Sequence, residues 1–233
     1  VRQRHALLQT HYQYHDVLLV DPSGHVALSM VGRQQPLCAA VLPDLKRALR
    51  SGSAVMNDLH LDAAAGGPHI GSMVPLYVTR GSQRVPAGAA VLQSRARQFL
   101  YPLLQSWPIP QRSAETLLVR REGDEVLFLN DLRHRADAAL SLRLPLSRAD
   151  VPAVMAVKGR EGLVHGRDYR DEPVLAVLRA VPESNWFMVA EVDAAEALAL
   201  RSQHSVHVLA FLAGLGLALV ALTLAVWQRQ AKA

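Results

Sequence analysis

The sequence predicts an α+β fold made of two similar units, each built on an antiparallel sheet, followed by a C-terminal transmembrane helix. Three observations predict it: strand-like blocks recur at a nearly constant spacing, amphipathic segments separate them, and an uncharged apolar stretch lies near the end. The 233 residues are 50% hydrophobic and 19% charged, a composition that excludes disordered, collagen-like and coiled-coil chains. Strands interleaved with short helices in this way form sheets with helices on one face.

The repeat has an offset of 98 or 99 residues. The block 18–28 reads as a strand, a tight turn and a second strand, and it recurs at 117–129 with Gly24 matched by Gly123. Two further matches are 75–78 with 173–176 and 89–92 with 187–190. Three separated blocks at one offset predict two homologous units.

A middle helix is expected in each unit. Residues 37–50 are apolar at helical spacing, and Pro43 must start or bend the helix that they form. The shorter segment 150–159 takes that place in the second unit. The connector between the units contains SWPIP, whose two prolines exclude regular helix.

Residues 208–227 are twenty positions without a charge. A helix of this length spans about 30 Å, the thickness of the hydrocarbon core of a bilayer. The basic tail that follows predicts a cytoplasmic C-terminus and places residues 1 to about 205 outside the membrane. Because the sequence begins at Val1 without a signal peptide and stops just after this helix, we expect a fragment of a longer protein with an upstream anchor.

These patterns divide the chain into seven segments. They are the end of an N-terminal stalk helix (1–16), a membrane-distal unit (17–104), a connector (105–115), a membrane-proximal unit (116–198), a stalk (199–207), the transmembrane helix (208–227) and a cytoplasmic tail (228–233).

Composition and motifs exclude several functional classes. The single cysteine, Cys38, excludes an intrachain disulfide and a cysteine-rich metal site. The net charge is +5, but basic and acidic residues are interleaved, as in 120–125, so we expect no nucleic-acid partner. There is no nucleophile elbow, P-loop, dinucleotide-binding glycine loop or HExxH helix. We therefore expect no enzymatic activity from this chain, and no cofactor is assigned.

The most informative polar pattern lies in the predicted strand 55–62. If the strand is regular, Asp58, His60 and Asp62 share one face while the two intervening leucines point to the core. Three interpretations are open: the solvated face of an edge strand, contact with a small ligand, or a divalent-metal site. The solvated face is favoured over the metal site.

Two runs of sequence carry a family resemblance. They are FLYPLLQSWP at 99–108, followed after four residues by SAETLLVRREGD, and NWFMVAEVD at 185–193. The sequence resembles the double Cache (tandem PAS-like) extracytoplasmic sensor domains of bacterial transmembrane receptors of the histidine kinase or diguanylate cyclase type, over nearly all of 14–228. The resemblance implies two PAS-like (Cache) units, a homodimer, a periplasmic sensor region anchored in the cytoplasmic membrane, and signal transmission to a cytoplasmic output domain.

The resemblance also implies that a small polar or charged ligand binds the membrane-distal unit. We expect the pocket between strands 55–62 and 70–78, because polar residues interrupt the apolar pattern there. The expected ligand contacts are Asp58, His60, Asp62, Tyr77 and, for an anionic end, Arg33. Buried carboxylates require a cation, so the ligand should carry a donor or a positive group.

Two alternatives remain open at this point. Amino-acid-sensing double Cache domains carry a tyrosine-arginine-tyrosine-aspartate pattern that this unit lacks, which argues against an amino-acid ligand. The polar cluster 168–171 of the second unit should form salt bridges, but it is also the alternative ligand site. The alternative function is a membrane-anchored periplasmic enzyme or scaffold protein. The helical sequence 194–207 has no glycine or proline break, which favours a transmitting sensor.

Overall fold

The computed structural model describes residues 14–62, 66–105, 112–182 and 184–199. Two antiparallel sheets with few helices make up this part of the chain. The predicted transmembrane helix, the tail after it, and most of the stalk and connector segments lie outside the described residues. Within the described ranges, no helix has the length and apolar character needed to cross a membrane.

The first sheet has five strands in the order β2-β1-β5-β4-β3. They are β1 (Asp16–Val20), β2 (Val26–Ser29), β3 (Val55–Asp62), β4 (Gly67–Arg80) and β5 (Gln83–Arg95). A 3-10 turn (Ala39–Val41) leads into helix α1 (Leu42–Ser51), with Pro43 in the first turn, where its missing N–H leaves no bond unmade. This is the middle helix that the sequence predicts.

Helix α1 packs on one face of this sheet, which we call the inner face. The helix contributes Leu45 and Ala48, and the strands contribute Leu18, Met73 and Val91, all of them almost completely buried. The helix ends at Gly52, whose φ of 71° lies in the left-handed region that glycine adopts without strain. Apolar burial under α1 thus fixes the helix over the centre of the sheet.

The second sheet has six strands in the order β8-β7-β6-β11-β10-β9. They are β6 (Glu115–Glu122), β7 (Glu125–Phe128), β8 (Arg143–Pro145), β9 (Gly162–Arg167), β10 (Pro173–Ala180) and β11 (Trp186–Asp193). Helix α2 (Leu100–Gln105) follows β5, helix α3 (Pro152–Val157) lies between β8 and β9, and a helix that includes residues 194–199 follows β11. The expected middle helix of the second unit is therefore α3.

The two sheets repeat one topology. The order β2-β1-β5-β4-β3 recurs as β7-β6-β11-β10-β9, with β8 added at the edge. Leu18 pairs with Val91 across β1 and β5, and Leu117 pairs with Val189 across β6 and β11. Residues at offsets of 99 and 98 therefore occupy equivalent positions, and the predicted repeat is confirmed at these strands.

The middle block of the repeat is out of register. Pro75 pairs with Ala89, but Phe187, the equivalent of Ala89, pairs with Ala180 and not with Pro173. Thirteen residues lie between Pro75 and Ala89, but only six lie between Ala180 and Phe187, because the β4–β5 hairpin is longer than the β10–β11 hairpin. Strands β4 and β10 are equivalent, but the residues matched from the sequence are displaced by seven positions.

An apolar cluster joins the two sheets. It includes Leu59 and Tyr101 from the first part of the chain and Leu118 and Leu129 from the second. The Tyr101 hydroxyl donates a hydrogen bond of 2.7 Å to the carbonyl oxygen of Leu129. This cluster lies on the outer face of the first sheet, because Ile70 in it alternates with the inward-facing residues of β4.

The expectation that Leu59 and Leu61 both face the core is wrong for Leu61. A β-bulge between Asn57 and His60 places two residues of β3 opposite one residue of β4. Leu59 is 1% exposed in the cluster between the sheets, whereas Leu61 is 55% exposed. The extra residue reverses the alternation, so that His60 and Asp62 turn to the inner face.

This reversal predicts opposite outcomes for two similar substitutions. Leu59→Ala should lower the free energy of unfolding by about 2–5 kcal/mol, because it opens a cavity between the sheets. Leu61→Ala, on the same strand, should change it by less than about 0.5 kcal/mol. Urea denaturation of both variants measures the difference. Equal losses would contradict the bulged register.

Candidate functional site

The inner face of the first sheet changes from apolar to polar along the strands. The apolar row pairs Val55, Met73, Val91 and Leu18, and the next row pairs Asn57, Gly71, Gln93 and Asp16. A third row pairs His60, His69 and Arg95, and Asp62 follows on β3. We call these polar side chains (Asp16, Asn57, His60, Asp62, His69, Gln93 and Arg95) the polar end.

The loop between β2 and the 3-10 turn (residues 30–38), which we call the covering loop, lies over the polar end. Hydrogen bonds attach it to both sides of the sheet. On β1, the Asp16 carboxylate accepts hydrogen bonds from Ser29 Oγ at 2.7 Å and from the Met30 amide at 2.9 Å. On β3, Asp62 Oδ2 accepts a bond of 2.6 Å from Arg33 Nη1. Strands β5 and β4 lie between β1 and β3 in the sheet, so the loop passes over them.

Arg33 and Asp62, both predicted site residues, form a buried ion pair. Their side chains are only 5% and 2% exposed. The other guanidinium nitrogens donate to the carbonyl oxygens of Gln35 and Pro36, at 3.1 and 2.8 Å. Arg33 therefore holds the covering loop against the sheet and neutralises the charge of Asp62. The Asp62 carboxylate thus adds no net negative charge to the site.

Two buried histidines face each other on β3 and β4. His60 Nδ1 lies 2.9 Å from the carbonyl oxygen of Asp58, and His69 Nδ1 lies 2.8 Å from that of Gly67. A carbonyl oxygen only accepts, so Nδ1 carries a proton in both rings and neutral Nε2 is an acceptor. Neither Nε2 has a hydrogen-bond partner. Burial lowers the pKa of His69, which keeps this ring neutral.

Two amide side chains add further unpaired acceptors. Asn57 Oδ1 and Gln93 Oε1 are buried and make no hydrogen bond. Gly71, which has no side chain, lies between Asn57 and Gln93 in the paired row. A buried polar atom left unpaired costs about 1–3 kcal/mol, so this concentration requires an explanation.

A cavity of about 330 Å³ lies at this end of the sheet, and of the four residues with unpaired acceptors Gln93 lines it. Its lining consists of His15, Asp16, Val31, Gly32, Arg33, Gln35, Gln93 and Arg95. Pockets for small molecules begin at about this size, roughly 300 Å³. The covering loop, the polar end and the cavity together have the form of a small-molecule site.

Asp58 does not belong to the polar end. Its Oδ2 lies 2.7 Å from Arg120 Nη1, and its Oδ1 accepts a bond of 2.7 Å from Trp186 Nε1. Both partners belong to the second sheet. The expectation that Asp58 shares a face with His60 and Asp62 is wrong, because the bulge separates them.

Tyr77 also lies away from the polar end. Its hydroxyl is 3.4 Å from the carbonyl oxygen of Leu49 in α1, and the guanidinium carbon of Arg84 is 4.2 Å from its ring centroid. His69, the partner of His60, precedes Tyr77 by eight residues on β4, roughly 26 Å along an extended strand. The structure does not bring Tyr77 together with the histidines.

The polar cluster of the second unit forms salt bridges, as expected. Arg170 Nε lies 2.5 Å from Asp168 Oδ2, and Arg170 Nη2 lies 2.6 Å from Asp193 Oδ1. Asp168 also accepts hydrogen bonds from the amides of Arg170 and Glu172. The cluster therefore ties the loop between β9 and β10 to the end of β11.

Sequence reasoning missed two buried acids in the second unit. Glu115 and Glu191 pair directly across β6 and β11 and are 8% and 3% exposed. Burial, followed by the charges of Glu115 and Asp168, raises the pKa of Glu191 to about 8. The repeat offsets of 99 and 98 relate this pair to Asp16 and Gln93, so the alignment could have identified both pairs.

Comparison with known proteins shows what the chain is similar to. No protein-family model and no curated protein matches it. Among solved structures it is similar to the ligand-binding domain of Mlp24 with asparagine, with a TM-score of 0.56, 16% identity, and coverage of 85% of this chain and 83% of that chain. It is also similar to the ligand-binding domain of the Pseudomonas aeruginosa PAO1 amino acid chemoreceptor PctB in complex with L-Arg (TM-score 0.55, 15% identity, 84% and 79% covered).

A third similar structure is the extracellular domain assigned to the histidine kinase mmHK1S-Z3, with a TM-score of 0.55, 13% identity, and coverage of 87% of this chain and 83% of that chain. The chain has the double Cache fold. The resemblance carried by residues 99–124 and 185–193 is thus confirmed at the level of the fold.

The buried ion pair predicts a large loss of stability on substitution. Arg33→Met removes the cation paired with the buried Asp62 carboxylate and should lower the free energy of unfolding by about 3–5 kcal/mol. The control is Arg47→Met, since Arg47 is 59% exposed in its ion pair with Asp44 and should contribute less than about 1 kcal/mol. Denaturant unfolding compares the two variants. Equal, small losses would contradict the role assigned to Arg33.

The raised pKa of Glu191 predicts a pH dependence. The folded chain keeps a proton that the unfolded chain releases above its ordinary pKa of 4.5, so stability falls as the pH rises from about 5 to 8. Glu191→Gln removes this titration and should gain about 3 kcal/mol over the parent chain across that interval. The control is Glu172→Gln at an exposed position. Parallel stability curves for parent and Glu191→Gln would refute the assignment.

Proposed function

We propose that this chain is the ligand-sensing and signal-transmitting region of a bacterial membrane receptor, and that the ligand binds at the polar end of the first sheet. The carrying observation is a set of four buried acceptor atoms without partners on one sheet face beneath a fixed loop, and one of the four residues, Gln93, also lines a cavity. The four atoms are Asn57 Oδ1, His60 Nε2, His69 Nε2 and Gln93 Oε1. The fold shared with ligand-binding domains of chemoreceptors supports the proposal.

The chemistry of these atoms indicates the class of ligand. Because the unpaired atoms are acceptors, the ligand should present several N–H or O–H donors, as an ammonium group does. Arg95 borders the same cavity and brings a positive charge to it, which suits a ligand carboxylate. An amino acid or a similar small amine has both features, and Mlp24 and PctB were solved with amino acids.

These contacts differ from the tyrosine-arginine-tyrosine-aspartate pattern, which the sequence lacks. Of the residues predicted for the site, His60, Asp62 and Arg33 remain in the proposal. His60 supplies an acceptor, while the ion pair of Asp62 with Arg33 holds the loop. Asp58 and Tyr77 are not ligand contacts in this proposal.

The structure offers a route from this site to the second unit. His60 faces the proposed ligand, while the preceding residues Asp58 and Leu59 contact the second sheet. A shift of β3 on ligand binding would therefore act on Arg120 and Trp186. At the far end of that sheet, β11 leads into a helix whose Glu196 accepts hydrogen bonds of 2.9 Å from the amides of Arg112 and Ser113.

The wider arrangement follows from the sequence. We propose that residues 208–227 cross the cytoplasmic membrane, that the two units are periplasmic, that the chain forms a homodimer, and that a kinase or cyclase output domain receives the signal. The charge-free length of the segment and its basic tail support the membrane placement. A short, stiff path from the second sheet to this segment is what a transmitter requires.

Ligand binding tests the proposed function. The purified chain is screened in detergent by thermal shift against amino acids and simple amines, since a ligand at a hundred times its Kd adds about 2.7 kcal/mol of stability. Calorimetric titration of a compound that binds should show at least about a tenfold weaker Kd for Gln93→Leu, which removes an acceptor from the buried row. Gln83→Leu, at the exposed start of β5, should leave the Kd unchanged.

Two results would count against the proposal. The first is a Kd that Gln93→Leu leaves unaltered, which would place the ligand elsewhere, beside Asp168 and Tyr169 in the second unit. The second is that no compound of the panel stabilises the chain, which would exclude the amine class.

A further inference from the structure

Cys38, His60 and Asp62 converge at one side of the polar end. One ligand atom from each, a sulfur, a ring nitrogen and a carboxylate oxygen, all lie within 4.8 Å of one another. Cys38 belongs to the segment that covers the sheet just before the 3-10 turn, while the other two residues follow the bulge on β3. Three different metal-binding groups therefore meet from two separate parts of the chain.

We propose that these three side chains bind a divalent transition-metal ion, and that Zn²⁺ fits them best. Zinc binds thiolate at about 2.3 Å and imidazole or carboxylate at about 2.0–2.2 Å. Around a tetrahedral ion such ligand atoms lie roughly 3.3–3.7 Å apart, so the site needs to contract by only about 1 Å. A thiolate ligand disfavours magnesium and calcium, which prefer oxygen.

The surroundings of the ligands suit a metal. A metal-binding histidine usually donates its second ring N–H to a carbonyl or carboxylate, and His60 Nδ1 already lies 2.9 Å from the Asp58 carbonyl oxygen. The other ring nitrogen of His60, Nε2, is buried and has no hydrogen-bond partner, and the residue as a whole is 8% exposed. Arg33 donates a hydrogen bond of 2.6 Å to Asp62 Oδ2 and so holds this carboxylate in place beside Cys38 and His60.

The charges are compatible with a bound cation. Burial opposes ionisation of Cys38, but the neighbouring imidazole of His60 outweighs it and lowers the pKa of the thiol. Three protein ligands leave a fourth position for water or an anion.

This inference goes beyond ligand sensing and does not depend on it. It uses Nε2 of His60, and it leaves the acceptors of Asn57, His69 and Gln93 for an organic ligand. A metal at this position would link the covering segment to β3 near the Arg33–Asp62 ion pair. The metal would thus add a second link between the covering segment and β3.

The test uses the full chain, stripped of metal with a chelator, and Co²⁺ and Zn²⁺ as probes. Co²⁺ should bind one ion per chain and give the near-ultraviolet absorption of a thiolate–cobalt bond, and Zn²⁺ should displace it. Cys38→Ser should abolish that absorption and weaken Zn²⁺ binding by at least about 100-fold, and His60→Gln should weaken it by about 10–100-fold. His165→Gln, at an exposed position on β9, should change neither.

A stoichiometry of zero, or Zn²⁺ binding that Cys38→Ser leaves unchanged, would overturn the proposal. A second measurement on the unaltered chain covers the case in which a variant fails to fold. Zn²⁺ should protect Cys38 from alkylation by iodoacetamide, and alkylation at an undiminished rate would equally overturn it. Titrating an amine ligand in the presence of chelator separates the two proposals, since its binding does not require the metal.

Discussion

The β-bulge between Asn57 and His60 determines which way the polar side chains of β3 point. A regular strand would turn Asp58, His60 and Asp62 to the outer face and would place two leucines under the covering loop. With one extra residue in the strand, His60 and Asp62 face inward. Asp58 and Leu59, which precede His60, contact the second sheet. The bulge thus lets one strand contribute to the polar end on one face and to the contact between the units on the other, and β-bulges are common next to functional sites.

The inward turn of Asp62 has an electrostatic consequence. A carboxylate that is 1% exposed needs a compensating charge, and Arg33 provides it from the covering loop. The pairing cannot form unless the loop crosses β5 and β4, so closure of the loop and burial of the charge are coupled. Asp16 holds the other end of the loop by accepting backbone and hydroxyl hydrogen bonds.

The sequence was informative where structure follows local pattern. The repeat predicts the pairing partners of β1 and β6, and the apolar spacing of 37–50 predicts α1. It was uninformative about the bulge, because the alternation in residues 58–62 is that of a regular strand. The partner of Asp62 lies 29 residues away, and no local pattern indicates such a contact. Tyr77 was misplaced because the sequence does not reveal that β4 is 14 residues long.

The repeat shows how the two units differ at equivalent positions. The register positions of Asp16 and Gln93 carry Glu115 and Glu191 in the second unit. Glu115 accepts hydrogen bonds there from the Tyr169 hydroxyl at 2.8 Å and from the amide of Arg133 at 2.9 Å, so groups of the same unit satisfy its carboxylate. A second carboxylate, Glu191, stands at the position of Gln93, and burial, followed by the charge of Glu115, raises its pKa so that it stays protonated at neutral pH. The first unit carries the unpaired amide acceptor of Gln93 at the corresponding point, beneath a loop that the Arg33–Asp62 ion pair holds in place. This difference between the units is consistent with the proposal that the first recognises the ligand and the second transmits the signal.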